Sequence, residues 1–193
     1  MASASPRRKE LLAELINNFD IQPARGEEAA EEGLSPVALV QVLAEQKARE
    51  VAALPQAVGK AVLGSDTVVA LDGKTLGKPV DEEDAARMLR ALSGRTHEVY
   101  TGVCILYPHF GVYRKKVKAA CTKVKFYPLK EEKIAAYIAT GSPMDKAGAY
   151  GIQDGGLVES IDGSFSNVVG LPLELCKEMI AEIEAEQGRR EEI

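Results

Sequence analysis

The stretch Ala61-Val62-Leu63-Gly64-Ser65-Asp66-Thr67-Val68-Val69-Ala70-Leu71, followed by Asp72-Gly73, decides how this chain reads. Apolar and β-branched residues fill it almost without a break, and Asp-Gly is the strongest short hairpin signal. It therefore predicts two strands, with Gly64 to Thr67 as a polar interruption of the first. A carboxylate inside such a run needs a reason, because burial without partners or a metal costs on the order of several kcal/mol. Asp66 is either a functional group or a strand-end cap bonded to neighbouring amides.

Working outward towards the N-terminus, Ser35-Pro36 starts a helix whose stripe is Val37, Val40, Leu43, Ala44, Ala48 and Val51, with Lys47 on it. Ser5-Pro6 starts another, with Leu11, Leu12, Leu15 and Ile16 on one face and Asn17-Asn18 at its end. A short strand over Phe19 to Ile21 and an acidic loop with Glu27, Glu28, Glu31 and Glu32 join the two. Towards the C-terminus, Gly77-Lys78-Pro79 closes the hairpin region. Asp81 then caps a helix buried through Ala85, Met88, Leu89 and Leu92 and stopped at Ser93-Gly94. Two long antiparallel strands are expected over 99–107 and 112–126, then a helix over 130–139. The glycine-rich Asp145 to Gln153 reads as a binding loop, 157–165 as a hairpin and 167–170 as a strand. Leu171-Pro172 opens the last helix.

With 193 residues, 46% of them hydrophobic, the chain can bury one core, either as a single α/β domain over 1–181 or as two lobes sharing a cleft; 182–193 reads as a charged tail. No apolar run approaches the roughly 20 residues that span a bilayer, and Arg7, Arg8 and Lys9 lead into no signal-type segment. No membrane association is expected, and the location expected is the cytoplasm. Cys104, Cys121 and Cys176 suggest neither a disulfide framework nor a zinc site. A formal charge of −5 argues against a nucleic-acid partner but leaves an anionic small molecule open.

Several catalytic engines are excluded. Gly73-Lys74-Thr75 imitates the end of a P-loop, but Val68 stands where the earlier glycine belongs. There is no Gly-x-Ser-x-Gly elbow, and His97 and His109 lack zinc-like partners in sequence. Ser3, Ser5, Arg7 and Arg8 sit at a helix N-terminus, where free amides favour an anion and guanidinium forks suit phosphate; the alternative is an ordinary cap with solvated arginines. Taken singly, Lys47 and Lys78 read equally as surface lysines, and Glu27 and Glu28 as a solvated loop.

Seven blocks taken in order change that balance: Ser3-x-Ser5-Pro6-Arg7-Arg8, Ser65-Asp66-Thr67-Val68-Val69, Gly77-Lys78-Pro79, Leu92-Ser93-Gly94, Thr101-Gly102-Val103, the Asp145 to Gln153 loop, and Val168-Val169-Gly170-Leu171-Pro172. Together, from Ala2 to about Leu175, they resemble the Maf family of nucleotide pyrophosphatases, first named as septum-formation inhibitors. The resemblance implies an α/β fold with a long mixed, twisted sheet flanked by helices, two lobes around a central cleft, and a homodimer. It also implies hydrolysis of a nucleoside triphosphate to monophosphate and pyrophosphate, and a link to cell-division arrest. The Asp145 to Gln153 block looks like the branch preferring dTTP and UTP; the branch acting on methylated guanine nucleotides carries cysteine at the position of Lys146. By the same resemblance, Asp66 is the catalytic proton acceptor, Arg7, Thr67 and Gln153 set base preference, and Ser3, Glu28, Lys47 and Lys78 line the cleft. Two departures are visible. Only Met1 precedes Ala2, so the first strand is expected to be short, and Arg25-Gly26-Glu27-Glu28 replaces an Asp-x-Asp-Glu pattern.

A free aspartic acid, with a reference pKa of about 3.9, is a weak base for water at neutral pH. A divalent cation, Mg²⁺ or Mn²⁺, held by Asp66, Glu28 and the substrate's phosphates is therefore expected to acidify the attacking water. Lys47, Lys78 and Arg7 or Arg8 would stabilise the leaving pyrophosphate. The expected attack is at the α-phosphorus of dTTP, UTP or a modified pyrimidine nucleotide, with Gln153 pairing the base. The rival readings are a non-catalytic nucleotide- or partner-binding regulator of cell division and a purine-type house-cleaning pyrophosphatase.

Overall fold

The computed structural model describes residues 1–26, 30 and 33–188, so Glu27, Glu28, Glu31 and Glu32 of the acidic loop lie outside it. The deciding stretch is one continuous strand, β1 (Val62–Leu71). Gly64 to Thr67 do not interrupt it, because alternation sends Gly64 and Asp66 to one face and Ser65 and Thr67 to the other. Asp72 (φ 52°) and Gly73 (φ 75°) both take left-handed backbone, the requirement of a tight type I′ hairpin, and lead into β2 (Lys74–Leu76).

β3 (Thr96–His109) and β4 (Val112–Phe126) are the long hairpin that the sequence predicts, and β5 (Val158–Asp162) completes a sheet ordered β2-β1-β3-β4-β5. All four pairings are antiparallel. The expected mixed character comes down, among the described residues, to a parallel bridge between Ala2 and Gly64, with Ala2 N donating to Leu63 O at 2.8 Å. Phe19 to Ile21 form no strand; that segment is tied instead by the Gln22 N–H to Met1 O (3.0 Å).

Cap chemistry places the helices α1 (Pro6–Ala13), α2 (Pro36–Ala52) and α3 (Glu82–Leu92), where Ser5, Ser35 and Asp81 each accept a backbone N–H of the first turn. α1 ends at Ala13, before the two asparagines expected to stop it. α4 spans Glu131–Ile138 and α6 spans Leu173–Gly188. Residues 167–170 are not a strand. They belong to α5 (Phe165–Val169), which Ser164 caps through the Asn167 N–H (3.2 Å) and Gly170 ends at φ 126°. The hairpin expected over 157–165 reduces to β5, paired with β4. The segment from Glu182, expected as a tail, remains helical to Gly188: Ile183 is buried, and Glu182 and Glu186 pair with Lys116 and Lys118 of β4. No helix among the described residues is long and apolar enough to cross a membrane.

Strand alternation sorts the core. One face of β1 and β3 carries Val62, Gly64, Gly102, Cys104 and Leu106 beneath Ala44, Ala48 and Val51 of α2. The other face holds two apolar clusters. Leu63, Val103, Ile105 and Tyr107 meet α1 and α6, whereas Val69, Leu71, Val99, Val124 and Phe126 meet α3 and α4. Between them lies a polar belt of Ser65, Thr67, Thr101 and Asn167.

α2 rests on the sheet through two glycines. A Cβ at Gly102 would stand 2.2 Å from Val40 O, and one at Gly64 2.3 Å from Ala44 O. Both obstacles are helix backbone, which cannot rotate away. Gly102→Ala should therefore cost about 3 kcal/mol or more and lower the melting temperature by roughly 6–12 °C. Gly73→Ala, with open space around it, should cost only about 1 kcal/mol. Thermal denaturation of both variants checks the contrast; equal losses would contradict the close helix-to-sheet contact.

His97, buried among Phe126 and Tyr150, bonds Tyr150 Oη through Nε2 (2.8 Å). Burial pushes its pKa down from 6.5 to about 4. The unfolded chain thus takes up the proton first. Stability should fall as pH drops from about 6.5 to about 4, by roughly 3 kcal/mol at about 1.4 kcal/mol per pH unit. Urea titrations across that window should show a shallower decline for His97→Gln than for the wild type.

Candidate active site

On its outer side, β1 has no strand neighbour among the described residues between the Ala2 bridge at Gly64 and the β2 pairing at Val69. A cavity of about 470 Å³ opens at this gap. Because it lies at a strand edge, it reaches side chains from both faces of β1: Asp66 from the α2 side and Thr67 from the α5 side.

On the α2 side, Lys47 Nζ donates to Asp66 Oδ1 at 2.5 Å, and the two side chains are only 17% and 11% exposed. The glycine contact makes this pair possible. Ala44 and Ala48 straddle Gly64, so the turn carrying Lys47 lies two residues along the strand from Asp66. Asp66 is thus a partnered, buried carboxylate and not a strand-end cap. No hydrogen bond to its Oδ2 falls among the described residues, so one oxygen is held and the other is open to a ligand.

On the opposite side, Arg8 donates to acceptors on three other residues among those described. Its Nε donates to Gly170 O (2.8 Å), Nη2 to Thr67 Oγ1 (3.0 Å) and Nη1 to Ser3 Oγ (3.5 Å). Arg8 is therefore built into the wall, not solvated as an ordinary cap residue would be. Ser3, expected in the cleft, is buried behind Arg8 and is absent from the cavity lining.

The glycine-rich segment forms the third wall as three short 3₁₀ turns, Ser142–Asp145, Ala147–Ala149 and Ile152–Asp154. Gly148, at φ 68°, lies against Val69, whose Cγ2 would be 2.9 Å from an added Cβ. Lys146 Nζ donates to Ser142 O (2.5 Å) and to Asp145 Oδ1 (2.8 Å), while Arg7 pairs with Asp145 Oδ2 at 3.3 Å. Burial pushes the Asp145 carboxyl up, but Lys146 and Arg7 outweigh it and hold the group below the usual carboxylate range. Beneath the loop, Tyr137 Oη donates to Asp154, accepts the Gly151 N–H (3.0 Å) and so anchors the turn that presents Gln153. Burial, then the Asp154 bond, pushes the Tyr137 phenol up, which keeps it a donor.

Arg7, Arg8, Lys47, Asp66, Thr67, Lys78 and Gln153, drawn from five separate parts of the chain, all line this one cavity. Glu28, the second expected metal ligand, lies outside the described residues. Sequence reading missed Asp145 as the partner of Arg7, the Tyr137–Asp154 anchor, and Thr101 behind Thr67. Asp145 and Thr101 carried a signal, as parts of the Asp145 to Gln153 and Thr101-Gly102-Val103 blocks; Tyr137 and Asp154 carried none.

No group of three or more His, Cys, Asp or Glu side chains among the described residues could hold a metal ion. A hard cation that takes most of its oxygens from substrate phosphates and water needs only one or two carboxylates. Asp66, with one open oxygen on a cavity lined by cations, fits such a substrate-borne ion.

Residues 1–183 match the family model described as Maf, Maf-like protein. Among curated relatives, a dTTP/UTP pyrophosphatase of Moorella thermoacetica is 52% identical over 184 residues, covering 94% of this chain and 92% of that protein. One of Bacillus velezensis is 53% identical over 176 residues, covering 90% and 89%. One of Thermococcus gammatolerans is 50% identical over 177 residues, covering 91% of each.

Proposed function

The chain belongs to the Maf family, and from that membership and the chemistry of its cavity we propose that it hydrolyses dTTP and UTP to the monophosphate and pyrophosphate. The observation that carries the reading is that Arg7, Arg8, Lys47, Lys78 and Lys146 line a single cavity with two carboxylates, Asp145, which is tied to Arg7 and Lys146, and Asp66, which is tied to Lys47 through one oxygen. Five cations against two carboxylates suit a polyanion with its reacting centre beside Asp66.

In this mechanism Asp66 Oδ2 accepts the proton of the attacking water while Lys47 fixes the carboxylate through Oδ1. The water attacks the α-phosphorus, and the cations take up charge on the departing pyrophosphate. Asp66 and the substrate's phosphates would hold a Mg²⁺ or Mn²⁺ ion, which would supply Lewis-acid activation of the water and charge neutralisation. Gln153, whose amide offers both a donor and an acceptor, pairs with the carbonyl and imide edge of thymine or uracil. A cytoplasmic homodimer completes the proposal, following the family resemblance.

The test is a panel of nucleotides assayed for pyrophosphate release with Mg²⁺ and with Mn²⁺. dTTP and UTP should be turned over best, and equal hydrolysis of ATP or GTP would contradict the base assignment. In oxygen-18 water the label should enter the monophosphate; label in pyrophosphate would sink attack at the α-phosphorus. Asp66→Asn, which keeps the shape and the bond from Lys47, should lose about 10²–10⁴-fold in kcat. An Asp66→Asn protein with undiminished turnover would remove Asp66 from the chemistry.

A further inference from the structure

The polar belt between the two apolar clusters has a proton count that closes. Thr101, fully buried, has its Oγ1 3.0 Å from Asn167 O and 2.9 Å from Thr67 Oγ1. A hydroxyl holds one proton, and two oxygens at these distances repel unless a proton lies between them. Asn167 O can only accept, so the Thr101 proton goes there. The proton between the two threonines must then come from Thr67.

Thr67 Oγ1 also accepts from Arg8 Nη2, which can only donate. Its proton and one lone pair are thereby committed, and one lone pair is left. We propose that Thr101 is a positioning residue that holds the Thr67 hydroxyl as an acceptor only, so that Thr67 takes a hydrogen-bond donor of the nucleoside and turns away phosphate oxygens. This deepens the pyrimidine-nucleotide reading and rests on it. The donor is either the imide N3–H of uracil or thymine, which cytosine replaces by a lone pair and which then leaves a base carbonyl for the Gln153 amide to meet, or a sugar hydroxyl.

The belt also explains why the hydroxyl does not turn round. Asn167 is fully buried, and its side-chain amide donates to Val99 O and to Thr122 Oγ1, both at 2.9 Å. The carbonyl that fixes Thr101 is thus itself fixed by β3 and β4. Asn167 O also accepts the Gly170 N–H at 3.0 Å, so Thr101→Val leaves it bonded and preserves shape.

In Thr101→Val the Thr67 proton loses its acceptor and becomes available to the cavity, whereas Thr101→Ser keeps the relay. kcat/KM is measured for UTP, CTP and 3′-deoxy-UTP in wild type and both variants, with melting temperatures to normalise folding. Thr101→Val is expected to lower the UTP/CTP ratio about tenfold, the scale of one hydrogen bond exchanged for a repulsion, with Thr101→Ser near wild type. If instead the ratio of UTP to 3′-deoxy-UTP collapses, the donor is the sugar hydroxyl and the positioning role stands. The proposal is overturned if Thr101→Val scales all three substrates alike, or if serine behaves as valine. A wild-type chain inert towards dTTP and UTP overturns the functional reading instead, and the same ratios taken from equilibrium binding then decide the role of Thr101.

Discussion

A helix backbone resting directly on strand backbone is the constraint from which the site follows. At Gly64 and Gly102 there is no room for even a methyl group beneath α2. Glycine in a strand gives up roughly 0.5–1 kcal/mol relative to alanine, so two of them need an offsetting gain. Part of the gain is the burial of Ala44, Ala48 and Val51 against Val62, Cys104 and Leu106. The other part is reach. With α2 this close, Lys47 meets Asp66 inside the protein, and removing Lys47 would leave the Asp66 carboxylate buried without its cation at a cost of about 3 kcal/mol or more.

The same strand divides labour between its faces. Asp66 and Lys47 occupy the side that α2 covers, and Thr67, Arg8, Thr101 and Asn167 the side that α5 covers. One ligand can meet both sets because, among the described residues, the outer edge of β1 has no strand neighbour between Gly64 and Val69. A fully paired strand would have separated them by the thickness of the sheet. The loop from Ser142 to Asp154 then closes the open side, fastened through Tyr137 and Asp154 below and through Asp145 to Arg7 above.

Much of this was legible in the residues, for reasons that can be named. The starts of α1, α2 and α3 follow from Ser-Pro, Ser-Pro and Asp caps, and the β3–β4 hairpin from two long β-rich runs around Pro108 to Gly111. Asp66 stood out because a carboxylate in an apolar strand demands a partner, although the partner itself, Lys47, looked like any surface lysine. The polar tetrad looks like a break because its four side chains are adjacent in sequence, although strand alternation sends them to opposite faces in pairs. Residues 167–170 read as a strand because the five residues of α5 are too few to show a helical period, and only the Ser164 cap marks them. Ser3 was placed in the cleft by resemblance, whereas the structure uses it to support Arg8. Thr101 and Tyr137 act through other side chains, and such pairings depend on tertiary register that no local pattern records.

The central claim is that one cavity at the open edge of β1 sets the α-phosphorus beside Asp66 and the base beside the Gln153 loop. A crystal structure with the non-hydrolysable α,β-imido analogue of dUTP measures this directly. The account predicts the α-phosphorus against Asp66 Oδ2, the terminal phosphates among the cations of the wall, and the uracil edge at Gln153. A uracil ring seated against Asp66 and Lys47, with the phosphates at Gln153, would contradict it.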